Sequence, residues 1–411
     1  MFPRRVVVTG FGAVTPIGNN ESDIRRSLFE SISGVEFNPV YADYGFRSQV
    51  LGVSQSTKVN DIPRKIRRFM GQEAEFAYVA ALDAISVSGL DESIISHDKT
   101  GLIMGSGGAS TSDIVAAADR LREHGIKRVG PYRVTATMTN TVSACLSTSL
   151  GIKGLNFSVS SACATSAHCI GIASQMIAWG EQEVIIAGGA ESEHWSQTAL
   201  FDAMQAMSSK YNSNPASASR PYDQDRDGFV IASGAGAVIL ESYEHALARG
   251  ATIIAELTGY GTASDGDDMV APSGKGSEAA IRSALKQHHG LRCNPIDYVN
   301  THATSTPAGD CVEVEAMARA FNNALPMFSS TKSLTGHALG AAGVHEVIYS
   351  LIMLKNNFLA ASANIENLDV RIQGKPIVLE SMEKQLLSVM SNSFGFGGTN
   401  VSLIFSKIKQ T

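Results

Sequence analysis

One short pattern occurs twice in this chain and limits what it can fold into. The β-branched run Val6–Val8 stops at Thr9-Gly10-Phe11-Gly12, and the run Ile253–Leu257 stops at Thr258-Gly259-Tyr260-Gly261. Two β-prone segments ending in the same Thr-Gly-aromatic-Gly turn, about 250 residues apart, point to an internal duplication. Leu247-Ala248-Arg249-Gly250 has the form of a helix end with its terminal glycine. The expected halves are therefore 1–250 and 251–411.

Both halves alternate strands and helices. In the first, Asn20 is placed to cap a helix with Ile24, Leu28 and Ile32 on one face. Leu102–Met104 reads as a strand ending at Gly105-Ser106-Gly107-Gly108. Phe157–Val159 reads as a buried strand, followed by a small-residue turn and a helix from about Ala164 to Trp179. Val184–Ala187 and Ala237–Leu240 are further strands. In the second half Ile296–Val299 precedes a turn and a helix over Cys311–Ala320, and Leu387–Met390 with Val401–Phe405 forms a hairpin around a glycine loop. Ser208–Ser219, polar and holding Pro215, reads as a surface loop. This alternation predicts an α/β architecture with buried sheets.

Composition narrows the function classes. The 411 residues allow two to three structural units and a large core; 44% are hydrophobic and 18% charged, as in a folded globule. A net charge of −6 offers no overall case for nucleic acid. Five cysteines without a repeated spacing argue against a disulfide framework and fit a reducing, cytoplasmic compartment. No apolar run reaches the roughly 20 residues of a membrane helix. The opening Met-Phe-Pro-Arg4-Arg5-Val-Val-Val resembles a leader, but Thr9, Gly10 and Gly12 break its apolar stretch, and a first core strand is the better reading.

Cys163 is the sharpest chemical candidate. It lies in Ser160-Ser161-Ala162-Cys163-Ala164-Thr165-Ser166-Ala167, between a strand and a helix. At a first helical turn, unpaired N–H groups and the helix dipole stabilise a thiolate, and the same N–H groups can bind an oxyanion. A buried, inert thiol is the competing reading. His302, in Asn300-Thr301-His302-Ala303-Thr304-Ser305-Thr306, and His337, in Lys332-Ser333-Leu334-Thr335-Gly336-His337, both occupy polar turns beside small residues. Lys332 would bias that field toward anions, and Glu346 is placed to be its ionic partner. Ser393-Phe394-Gly395-Phe396-Gly397-Gly398-Thr399-Asn400 can lend a backbone N–H to an oxyanion hole or be a plain hairpin turn; it lacks the lysine of a phosphate-binding loop. Gly-x-Ser-x-Gly is absent. His288-His289 near Cys293 lacks a second ligand pair at metal-site spacing, so no metal is expected. Arg64-Lys65-Ile66-Arg67-Arg68 and Lys127-Arg128 are solvated helix faces or docking points for an acidic partner.

Taken together, the motifs resemble the β-ketoacyl-acyl carrier protein synthases. The likeness runs from Val-Val-Thr-Gly-Phe-Gly-Ala-Val-Thr-Pro-Ile-Gly to Ser-Asn-Ser-Phe-Gly-Phe-Gly-Gly-Thr-Asn, and takes in the Cys163 motif, Arg226-Asp227-Gly228-Phe229 and Lys332–His337. Gly105-Ser-Gly-Gly-Ala-Ser, with no bulky residue at 108, looks more like the type I enzymes. The resemblance implies a thiolase-like fold, two duplicated halves in five α-β-α-β-α layers, acting as a homodimer. It implies that Cys163 takes an acyl group from acyl-acyl carrier protein. Malonyl-acyl carrier protein then loses carbon dioxide beside His302 and His337, and the carbanion attacks the acyl group. The N–H groups of Cys163 and Phe396 would hold the oxyanion, with Lys332 and Glu346 as a supporting pair. Thr304 and Thr306 would bind the phosphopantetheine arm, which arrives on the carrier, so no further cofactor is needed. Phe201, Phe229 and Gly107 resemble acyl-pocket residues, and Lys65, Arg68 and Lys127 resemble carrier contacts. The family usually has glycine where this chain has Ala303; a positive φ there would strain the backbone, and an ordinary φ would only crowd the pocket.

Within the same fold, thiolases and chalcone-synthase-like enzymes pair their cysteine with Cys-His or His-Asn sets, which His337 disfavours here. A polyketide synthase ketosynthase subunit is the main alternative. A non-catalytic chain-length subunit would be expected to lack the nucleophile, and a cysteine hydrolase would release free acid.

Overall fold

The computed structural model describes residues 4–291 and 293–408. Its ten principal strands are β1 (Val6–Val14), β2 (Thr100–Gly105), β3 (Asn156–Phe157), β4 (Val184–Glu191), β5 (Gly234–Ser242), β6 (Ala255–Ser264), β7 (Tyr298–Asn300), β8 (Met327–Ser329), β9 (Ser388–Gly395) and β10 (Thr399–Ser406). They run side by side in the order β8-β7-β9-β10-β6-β1-β5-β4-β2-β3. Read outward from the centre, the two wings are the same. β1 pairs antiparallel with β5, β5 antiparallel with β4, and β4 and β3 each flank β2 in parallel. β6 pairs antiparallel with β10, β10 antiparallel with β9, and β9 and β8 each flank β7 in parallel. The wings meet where β1 and β6 share two residue pairs, Val7 with Glu256 and Val8 with Ala255.

The repeated turn motif is explained by close packing. Helix α2 (Gln72–Ser88) lies on β1, and α5 (Lys275–Gly290) lies on β6. A Cβ on Gly10 or Gly12 would come within 2.3 or 2.2 Å of the carbonyl oxygens of Ala84 and Ala80, and one on Gly259 or Gly261 within 2.6 or 2.0 Å of those of Ala284 and Ala280. Each helix thus lies against strand backbone where only glycine fits. The duplication motif is a helix-docking surface used twice.

Helices α4 (Thr165–Ala178) and α7 (Ala342–Asn356) pack on each other and touch strands of both wings, forming the middle layer. Outside the first wing α2 packs with α3 (Thr141–Leu150), and outside the second α5 packs with α6 (Gly309–Ala320). The layers are α-β-α-β-α, as expected. The middle helices are apolar nearly all round, and every residue of α7 from Ala342 to Leu354 is buried.

Three local expectations need correction. Helix α1 (Glu21–Glu30), capped by Asn20, ends before Ile32: Ser31 turns left-handed at φ 56°, leaving Ile32 exposed while Ile24 and Leu28 are buried. Phe157–Val159 is not a buried central strand. Only Asn156–Phe157 pairs, at the sheet's edge, and Phe157 is half-buried. Within Ser208–Ser219, Ser208, Ala218 and Ser219 are buried, so only the middle is surface. Val6 begins a fully buried strand; Met1–Pro3 of the leader-like start lie outside the described residues. Among the described residues no helix is long and apolar enough to cross a membrane.

Candidate active site

The site forms where loops from both wings converge over the middle helices. Cys163 sits just before α4, whose N-cap is Ala164. Ala162 holds φ at +50°, a left-handed geometry costing about 1 kcal/mol for a residue with a Cβ, and turns the chain toward the opposite wing. His337 follows the short helix Lys332–Thr335, and its backbone bridges to Ile231. Nε2 of His337 lies 2.9 Å from Sγ of Cys163. His302 follows β7, and its ring stands edge-on to His337 with centroids 5.2 Å apart. Sγ and one nitrogen of each imidazole all lie within 4.8 Å of one another. Three ligands of one metal ion have similar spacing, but Lys332, buried close by, opposes a cation there.

Electrostatics set the protonation states. Burial, followed by the Lys332 charge, holds both imidazoles well below their ordinary range, so they are neutral. Nδ1 of each is buried without a hydrogen-bond partner. Burial pushes the Cys163 thiol up to about 12, against the lowering effect of Lys332 and of the N–H groups of Phe396 and Cys163 itself. The expected dipole-stabilised thiolate is therefore not the resting state. Burial is the main reason, and the helix terminus does little to offset it, because the N–H groups of Ala164 and Thr165 are spent on the carbonyls of Ser161 and Ala162.

Lys332 and Glu346 form a buried ion pair, as their spacing suggested. Burial raises the Glu346 carboxyl to about 7 while Lys332 opposes the rise. The glycine loop closes the β9–β10 hairpin, with Gly397 and Gly398 left-handed and Phe396 facing the site. A cavity of about 440 Å³ opens onto Cys163, His302 and His337, and Thr304, Thr306, Phe201, Phe229 and Phe396 line it. Phe201 and Phe229 meet edge-on at 5.3 Å, and Phe229 meets the His337 ring at 5.8 Å. Ala303 is buried, also lines the cavity and has no positive φ; Ser305, at φ 72°, makes the turn instead. The methyl of Ala303 thus crowds the cavity and does not strain the chain.

Gly107 is not in the cavity lining; it gives its N–H to Glu191. Lys65 and Lys127 are exposed, away from the cavity. The Arg68 guanidinium lies 4.9 Å from the rings of both Phe69 and Tyr132. Two supporting residues were not among the expected site residues: Glu313 carried no local signal, and Arg226 entered only through the Arg226-Asp227-Gly228-Phe229 motif. Glu313, in the first turns of α6, accepts the backbone N–H of His302 at 2.9 Å and the Asn392 side-chain amide at 3.0 Å. Arg226 is buried among Asp310, Asp369 and the carbonyls of Thr306 and Pro307, fixing the loop that carries both threonines. These contacts span distant residues, and only the fold reveals them.

With the geometry in hand, comparison with known proteins is direct. Residues 3–246 match the model of the beta-ketoacyl synthase N-terminal domain, and 254–366 match the C-terminal domain. The chain belongs to the beta-ketoacyl synthase family. It is 51% identical to the 3-oxoacyl-[acyl-carrier-protein] synthase 1 of Haemophilus influenzae over 98% of this chain and 99% of that one. It is 50% identical to the enzyme of that name from Escherichia coli K12, over 99% and 100%. A beta-ketoacyl synthase crystal structure from Burkholderia phymatum superposes with a TM-score of 0.91 at 36% identity, covering 99% of this chain and 100% of that one. The thiolase-like fold expected from sequence is the fold observed.

Proposed function

We propose that this beta-ketoacyl synthase extends acyl chains in fatty-acid synthesis, condensing a Cys163-bound acyl group with malonyl-acyl carrier protein. The observation that carries the reading is the convergence of one thiol and two neutral imidazoles within 4.8 Å, with two backbone N–H groups aimed at the sulfur.

The Cys163 thiol attacks the thioester carbonyl of acyl-acyl carrier protein. The C–S bond to the carrier breaks, and the thiol proton leaves with the carrier sulfur; His337 Nε2, at 2.9 Å, is within reach of that proton. Malonyl-acyl carrier protein then enters, its phosphopantetheine arm held by Thr304 and Thr306. His302 and His337 donate N–H to the malonyl thioester oxygen. The bond to the carboxylate breaks, carbon dioxide departs, and its electron pair forms an enolate. Neutral donors suit this step, because they stabilise negative charge only as it develops. The enolate carbon attacks the acyl carbonyl, whose oxygen is held by the N–H groups of Cys163 and Phe396. Collapse expels the Cys163 thiolate, which regains a proton from water. Decarboxylation drives the sequence, so residues and carrier-borne phosphopantetheine suffice. Phe201 and Phe229 border the acyl group, and Lys65, Arg68 and Lys127 receive the acidic carrier. The enzyme acts as a cytoplasmic homodimer whose duplicated halves divide near residue 250.

Intact-mass analysis of wild type and Cys163→Ala with acyl-acyl carrier protein, then with malonyl-acyl carrier protein, tests this. The expected result is an acyl adduct that requires Cys163 and is discharged as 3-oxoacyl-acyl carrier protein. Discharge as free acid would favour a hydrolase. Absence of an adduct with every acyl donor tried would favour a chain-length subunit.

A further inference from the structure

His337 belongs to one wing and Cys163 to the other, yet they must stay 2.9 Å apart. Several hydrogen bonds hold the His337 segment against the first wing, among them the Ala232 N–H to the His337 carbonyl at 3.0 Å and His345 Nε2 with the Ala235 carbonyl at 3.1 Å. The His337 N–H bonds to the Val230 carbonyl at 2.7 Å, and the Val344 N–H bonds to Ser166 Oγ at 2.9 Å. Between them, the Gly340 N–H bonds to Oε2 of Glu191 at 2.9 Å.

Glu191 ends β4 and is fully buried. Its other contacts are all with the loop after β2: the N–H groups of Gly107 and Gly108, each at 2.9 Å, and the Ser106 hydroxyl at 3.0 Å. Burial raises the Glu191 carboxyl above its ordinary range, and the four contacts oppose that rise; all four partners donate, so the carboxylate form satisfies them and a protonated acid would not. The two loops also touch directly: a Cβ on Gly340 would lie 2.4 Å from the Gly107 nitrogen, and one on Gly107 would lie 3.4 Å from the Ala162 carbonyl, next to the nucleophile. Leu339, just before Gly340, is held at φ 45°, a strained geometry that persists only when its surroundings enforce it.

We infer that Glu191 is a positioning residue for the condensation reaction, an anionic clamp that fixes the His337 loop against the Cys163 turn. The inference rests on the proposed condensing function. It also accounts for a motif left over by the mechanism: the run Ser106-Gly107-Gly108 is bare of side chains beyond a hydroxyl because its backbone must close around one carboxylate. The charged or titratable groups sensed at the sulfur or beside the clamp are Lys332, both imidazoles and Glu73, the last a fully buried carboxyl on α2 that feels the Glu191 charge. The clamp's negative charge also opposes ionisation of Cys163.

The test uses the full-length enzyme and its Glu191→Gln variant. A glutamine keeps the shape but turns an NH2 donor toward N–H donors. Expected are a fall of about ten-fold or more in kcat for malonyl-acyl carrier protein decarboxylation, with KM changed by less than about three-fold. The midpoint of iodoacetamide alkylation of Cys163 should move to lower pH. Glu191→Asp should lose decarboxylation while keeping the alkylation midpoint, since its charge remains. If the glutamine variant does not fold, Glu191→Asp and Ser106→Ala carry the same test, decarboxylation falling with each weakened contact. A decarboxylation rate unchanged in the folded variants, or an unmoved midpoint in folded Glu191→Gln, overturns the clamp. Failure of the wild type to condense would instead overturn the functional reading beneath it.

Discussion

The two wings share one topology but divide the chemistry between them. The crossing after β3 leads to α4 and delivers Cys163, the proposed nucleophile. The matching crossing after β8 leads to α7 and delivers Lys332 and His337. The loop after β2 supplies backbone N–H groups to Glu191, whereas the loop after β7 supplies His302 and the two threonines. β4 ends in a buried carboxylate, and its counterpart β9 ends at Gly395, just before Phe396, whose N–H favours the thiolate of Cys163. The scaffold is therefore conserved between wings where helices dock and free to diverge where strands end. That is the division expected when rigid elements position functional loops.

The comparison can be broken or sharpened by experiment. The largest effect should come from the chemistry of the second wing. His302→Ala and His337→Ala should each cost about 10²–10³ in decarboxylation, the scale of losing one transition-state donor. Intact mass should still show the acyl adduct on Cys163 in His302→Ala, and a loss confined to acylation would reverse the assigned division of labour. Next, Lys332→Met leaves Glu346 buried without its partner, at a cost of about 3–5 kcal/mol in urea unfolding. Because Lys332 lowers both histidines, the variant should retain imidazole protons to higher pH, so the acid limb of the decarboxylation profile should move upward. An unmoved limb would count against neutral histidines as donors.

A smaller effect belongs to the first wing. Burial raises Glu73 to about 7 from an ordinary 4.5, and no hydrogen bond closes on either carboxylate oxygen. Its folded pKa lies above its unfolded one, so its contribution is full below about 4.5 and is lost as pH rises through 7, by up to about 3 kcal/mol. Glu73→Gln should remove that loss when unfolding at pH 5 and pH 8 is compared; an equal pH dependence in both proteins would show that the carboxyl stays solvated. The smallest effect tests the duplication itself. Gly12→Ala and Gly261→Ala should each cost about 1–3 kcal/mol by overpacking against α2 and α5. Thermal melts differing by more than about 1 kcal/mol between them would show that the two docking surfaces are no longer equivalent.

Much of this was legible in the sequence because it is local. Each Thr-Gly-aromatic-Gly motif, the small-residue turn at Cys163 with the helix after it, and the Lys332–Glu346 spacing across one turn and helix all sit in short segments. Helix ends were less legible: Ile32 continues the apolar period of its helix, but Ser31 turns left-handed first. The thiol's protonation escaped because it depends first on how deeply the fold buries the sulfur, and then on which N–H groups the Ala162 turn consumes. Glu191, Glu313 and Arg226 act through partners 79 or more residues away or through loops whose approach only folding creates. No periodicity announces such a contact.

The narrow seam between β1 and β6 has a consequence for how the enzyme is made. Synthesis delivers Cys163 early, but His302, His337 and Phe396 emerge much later, and the seam itself closes only after Glu256 has been added. A ribosome-bound chain holding only the first wing carries the Cys163 thiol without His302, His337 or Phe396. On the proposed mechanism it has no site at which to spend malonyl units, and the site is assembled only when the second wing docks onto the first.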